Sequence, residues 1–105
     1  MPNFLFVYHG GTAPETQEQI DEAMAKWGKW MNDNGASLVD PGNPVGMSKT
    51  ISASGVADNG GSNPTAGYTI VKAADIGAAC DMAKSNPIVD EGGSVEVAEI
   101  IEIEM

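Results

Sequence analysis

The sequence predicts an α+β domain, an antiparallel sheet with two helices on one face in the βαββαβ order of a ferredoxin-like fold. Three observations carry that prediction. The run NFLFVYH at Asn3–His9 is apolar from Phe4 to Tyr8 and reads as a central strand. Two later stretches repeat apolar residues at spacings of three and four, and each is followed by strand-like runs. With 105 residues, there is room for a single domain, residues 1–105, with one modest core.

In the first strand, Phe4, Phe6 and Tyr8 line one side and Leu5, Val7 and His9 the other, so both faces need cover. His9, the chain's only histidine, falls at the carboxyl end just before Gly10-Gly11. Thr12-Ala13-Pro14-Glu15 matches a capping box and predicts the start of the first helix. Its apolar stripe is Ile20, Ala23, Met24, Trp27, Trp30 and Met31, with charged residues between. Gly28 interrupts it at a cost of roughly 1 kcal/mol relative to Ala, implying a close neighbour or a bend. Asn34-Gly35 reads as a left-handed stop.

Gly35–Val39 is expected to be a short strand ended by the turn cluster Asp40-Pro41-Gly42-Asn43-Pro44, with Met47–Ser52 running back. Ala53 to Thr65 reads as a loop or weak edge hairpin turning at Asn59-Gly60-Gly61. Gly67–Ala73 is the next strand. Asp75 is the expected N-cap of a second helix with the small-residue stripe Ile76, Ala79, Cys80 and Ala83, closed by Asn86-Pro87. Ser94–Met105 is the last strand, and Glu99 breaks its pattern by falling on the apolar face. Two helices cover one sheet face only, so the doubly apolar first strand predicts that a second copy of the chain covers the other.

Composition bounds the function. Five Lys, no Arg and fifteen acidic residues give a net charge of −10, which repels phosphate backbones and anionic membrane surfaces. Neither nucleic acid nor membrane is an expected partner. One Cys and one His cannot build an ordinary structural zinc site, and no EF-hand spacing is present, so no metal or cofactor is expected. With no signal-like start and no apolar run near 18 residues, the expected location is cytoplasmic.

Several motifs together resemble the YCII-related domain family, including the branch known for a DGPF motif, although DGPF itself is absent. They are the opening strand Leu5–Gly10, the Gly-Asn-Pro-Val-Gly turn at Gly42–Gly46, Gly-Tyr-Thr-Ile-Val at Gly67–Val71, and Pro87 followed by Gly92-Gly93-Ser94-Val95-Glu96-Val97. The resemblance spans nearly the whole chain. It implies a ferredoxin-like fold paired through its sheets as a dimeric α+β barrel, and a histidine–aspartate pair in a cleft, here matched to His9 and Asp40.

For His9, an unperturbed pKa near 6.5 suits a general acid or base, against the plainer reading of a strand-end histidine bonded to backbone. Asp40 either assists it or caps its own turn. Glu99 is either a carboxylate in a cleft or turned out to water at a bulge, and Tyr68 is either core or, near the sheet's open face, a hydroxyl donor into a cleft. The Trp and Met residues at helical spacing read as core, Cys80 as inert packing, and Glu96, Glu102 and Glu104 as a solvated face. Two functions remain open: a proton-transfer enzyme of lyase or isomerase type using His9 and Asp40 on a small molecule, and a non-catalytic small-molecule-binding or accessory dimeric module.

Overall fold

A computed structural model describes residues 1–12, 14–58 and 64–103. The architecture is mixed α+β. Strand β1 (Asn3–His9) leads to helix α1 (Gln17–Asp33), a 3-10 turn at Gly35–Ser37 and strand β2 (Leu38–Asp40). Strands β3 (Lys49–Ser52) and β4 (Gly55–Asp58) precede β5 (Thr65–Lys72), then α2 (Ile76–Lys84), α3 (Pro87–Asp90) and β6 (Ser94–Glu99). Four strands form one antiparallel sheet in the order β2-β5-β1-β6, while β3 and β4 pair only with each other.

The alternation in β1 decides what the sheet buries. Phe4, Phe6 and Tyr8 lie opposite Val71, Thr69 and Gly67 of β5 and opposite Glu99, Val97 and Val95 of β6. On this face Phe4, Phe6, Tyr8 and Val71 pack with Trp30, Ala73, Ala79, Ala83 and Ile88 as the buried core. Removing a phenylalanine such as Phe6, which is fully buried, would cost about 3–5 kcal/mol. The small residues of α2 let that helix sit close: Ala79 and Ala83 are buried, whereas Ile76 is exposed. On the opposite face Leu5, Val7 and Ile70 are only half-buried, and no helix covers them.

The first helix starts one turn later than Thr12 predicts. Thr16 is the N-cap: its hydroxyl accepts from the Gln19 amide at 3.1 Å, and the Gln19 side chain accepts from Thr16 N at 3.4 Å. Both Thr12-x-x-Glu15 and Thr16-x-x-Gln19 fit the pattern, and the second wins because it stands directly before the apolar stripe that begins at Ile20. The Thr12 hydroxyl instead donates to the Glu91 carbonyl at 3.2 Å, tying the β1–α1 loop to the end of α3. At the other end Asn34 is not left-handed (φ −110°). Its side chain donates to the Trp30 carbonyl at 2.8 Å, and Gly35 enters the 3-10 turn, so β2 is shorter than expected.

The expected loop after Ser52 is an ordered hairpin. Its described turn is at Ala53-Ser54, with Ile51 opposite Val56 and a Lys49–Asp58 ion pair at 3.3 Å; the expected turn at Asn59-Gly60-Gly61 lies outside the described residues. The last strand ends at Glu99 rather than Met105. The Ile100 amide still donates to the Asn3 carbonyl at 2.9 Å, but Ile101 and Ile103 are largely exposed, and residues 104–105 lie outside the described residues. Among the described residues no helix is long and apolar enough to cross a membrane.

Candidate functional site

Two places in the fold hold candidate functional side chains, and they lie on opposite faces of the sheet. The first is His9. Parity puts its ring on the uncovered face, where Nε2 lies 3.1 Å from Glu96 Oε1 and Nδ1 lies 3.3 Å from the Pro64 carbonyl. Both neighbours are acceptors, so a doubly protonated ring donates to both and a neutral ring to only one. The His9 side chain is largely covered, at 11% exposure, but Glu96 is 67% exposed, which keeps the pair weakly coupled in water.

Asp40 does not join this pair. It lies opposite Ile70, which is opposite Leu5, so it stands two strands across and four residues along from His9, roughly 16 Å by strand spacing and rise. Its carboxylate accepts from the Gly42 amide at 2.8 Å, the turn-capping role expected of an Asp before Pro-Gly. The partner that His9 has is Glu96, which the alternation of β6 marked only as a solvated face. A residue two positions from the one opposite His9 is within side-chain reach, and that diagonal becomes visible once strand pairing is known. Glu99 keeps its parity and lies opposite Phe4 without a bulge; it reaches water because it ends the strand. The bulges fall elsewhere, between Tyr8 and His9 and between Leu38 and Asp40.

The second place is a cavity of about 790 Å³ on the helix-covered face, between α1, the loop after β1, the turn after β2 and the start of β5. Its walls are mainly apolar: Ile20, Ala23, Met24, Trp27 and Met31 from α1, with Pro41, Pro44 and Ile88 across from them. This accounts for the part of the helical stripe that the core does not use. Trp30 is 3% exposed and donates its Nε1–H to the Met82 carbonyl at 3.1 Å, whereas Met24 is 69% exposed. Trp27 stands between them, edge-on to Tyr8 at 5.2 Å and to Trp30 at 6.2 Å. Of the residues expected as core, then, Trp30 is core, Trp27 and Met31 pack half-buried against it while lining the cavity, and Met24 is exposed at the cavity wall.

Glycines shape this wall. Gly28 has open space where a Cβ would stand, so neither a close neighbour nor a packing demand explains it; its missing side chain widens the cavity. Gly42 is the opposite case. At φ +75° its Cβ would fall 1.7 Å from the Tyr68 carbonyl, so only glycine lets the turn lie against β5. Tyr68 borders the cavity at this contact, while its parity sends the ring to the other face.

A polar chain runs beneath the apolar wall. Asn86 Nδ2 donates to the Tyr8 hydroxyl at 3.1 Å, Tyr8 donates to Thr69 Oγ1 at 2.7 Å, and Thr69 donates to the Pro41 carbonyl at 3.0 Å. Asn86 also accepts from the Ile88 amide at 3.0 Å, capping α3. All three side chains are buried, and every member is bonded. Burial pushes the Tyr8 phenol above its ordinary value, partly offset by the bonds to Thr69 and Asn86, so Tyr8 is a neutral hydroxyl at physiological pH.

No protein-family model matches the chain, and no curated protein matches it by sequence. The site must therefore be read from its own chemistry. Among the described residues no group of three or more His, Cys, Asp or Glu is arranged to hold a metal ion. Among the described residues, the cavity is lined by one ionisable side chain besides Tyr8, that of Glu91, and by no His or Lys.

Proposed function

We propose that this protein is a small-molecule-binding module that takes an apolar ligand into the cavity between α1 and the sheet. The observation that carries the reading is the separation of cavity from proton-transfer pair. An enzyme of the acid–base kind needs a base within hydrogen-bond reach of a bound substrate, and the His9–Glu96 pair lies on the other side of the sheet from the large apolar cavity. The cavity has the size and the mostly apolar lining of a ligand site, with a few hydroxyls at its base.

On the motifs of the sequence the chain is read as YCII-related, and the strand order β2-β5-β1-β6 with both longer helices on one face supports the ferredoxin-like reading. A homodimer through the uncovered sheet face, closing a dimeric α+β barrel, is part of the same proposal. Leu5, Val7 and Ile70 on that face support it. A second reading, a proton-transfer enzyme, is favoured by the 3.1 Å His9–Glu96 contact, since a second copy laid over the open face would turn that face into a cleft.

The test is titration with the neutral apolar fluorophore N-phenyl-1-naphthylamine. Saturable fluorescence enhancement is expected, weakened at least tenfold by Gly28→Leu, which gains helix propensity of roughly 0.8–1 kcal/mol and fills the open space. His9→Ala should leave binding unchanged. Binding that survives Gly28→Leu but is lost in His9→Ala would move the site to the open face and favour the enzyme.

A further inference from the structure

We propose that the ligand of this cavity is an apolar molecule carrying one cationic amine, with its ammonium group at Glu91 and its apolar body along Trp27 and Gly28; this deepens the binding reading above and rests on it. Glu91 stands at the mouth between α3 and the loop after β1. Its backbone is fixed there, the carbonyl accepting from the Thr12 hydroxyl at 3.2 Å and the amide donating to the Pro87 carbonyl at 3.2 Å. Its Oε2 lies 3.7 Å from where a Cβ of Gly11 would stand, which sets the carboxylate over the glycine pair at the rim. It is half-buried and makes no hydrogen bond or ion pair with another described side chain.

The rest of the lining excludes the other charge. Among the described residues no Lys or His faces the cavity, and the chain has no Arg, so a carboxylate or phosphate taken inside would lose its hydration without an opposite charge to meet. Lys26 opens instead onto an adjoining shallow groove, where Glu22 and Glu91 outnumber it. An amphipathic amine gains from two lining residues, its ammonium from Glu91 and its body from the Trp27 ring. The net charge of −10 raises the local concentration of cations further.

The experiment displaces N-phenyl-1-naphthylamine from the intact protein with octylamine, octanol and octanoate, three ligands with one apolar chain and three head groups. Octylamine should displace at a concentration at least tenfold below octanoate, with octanol between. Glu91→Gln should cut that preference at least threefold, and Glu91→Lys should reverse it. Equal displacement by amine and carboxylate, or a preference undiminished in Glu91→Gln, would overturn the amine reading and leave the cavity intact. Failure of the fluorophore to bind would overturn the cavity reading and this one with it.

Discussion

Three residues make the argument at the smallest scale. Tyr8 is the hinge between core and cavity: its ring is buried and its hydroxyl holds Asn86 and Thr69 together. Tyr8→Phe leaves the Asn86 amide without its acceptor, and should cost about 1–3 kcal/mol in urea unfolding. The same residue predicts a pH effect. Its phenol titrates higher folded than unfolded, so above about pH 10, where the unfolded chain loses the proton first, stability falls as pH rises. Tyr8→Phe should flatten that alkaline fall, and an unchanged slope would mean that some other group causes it. Gly42→Ala places a Cβ on the Tyr68 carbonyl at a left-handed φ, and should cost at least about 2 kcal/mol; a loss under half of that would show that the turn relaxes freely. By contrast Glu96→Gln should change stability by less than about 1 kcal/mol, because its partner contact is largely in water.

At the scale of elements, α1 shows what periodicity can and cannot tell. The spacing from Ile20 to Met31 foretells the helix and its apolar side, and the capping box foretells a start within one turn of the true one. Periodicity does not say what covers each part of a stripe, so Trp27 and Met24 read as core from sequence although they border a cavity. Gly28 was the available signal: a helix that tolerates glycine on its apolar side has lost packing there. The His9–Glu96 contact was hidden for a different reason, since it depends on pairing between strands 87 positions apart in sequence. Asp40 could be read correctly as a turn cap from the Pro and Gly that follow it, and the resemblance pulled it toward His9 instead. For α2, Asp75 was legible as the cap, and it accepts from Ala78 N at 2.8 Å.

The whole molecule is more extended than its length requires. Its radius of gyration is 15.0 Å, where about 13 Å is usual for a compact chain of this size. The paired strands β3 and β4, exposed at every position, and the one-sided cover of the sheet both contribute. If the uncovered face joins two copies as proposed, sedimentation should give twice the chain mass at micromolar concentration; a monomer that does not change on dilution ends that part of the proposal. The chain also leaves and re-enters the sheet at nearly one point: the Val45 amide donates to the Ala66 carbonyl at 3.0 Å, and Pro44 bridges Gly67. The β3–β4 hairpin is therefore a removable appendage in the topological sense, and a short Gly-Ser turn could close the gap. Shortening the excursion lowers the entropy cost of loop closure by roughly 1 kcal/mol, so the trimmed chain should unfold cooperatively at the same or a higher urea midpoint. A trimmed chain that keeps this midpoint but sediments as a monomer would assign the excised arm to the seam between copies, and make a single protein available in both assembly states.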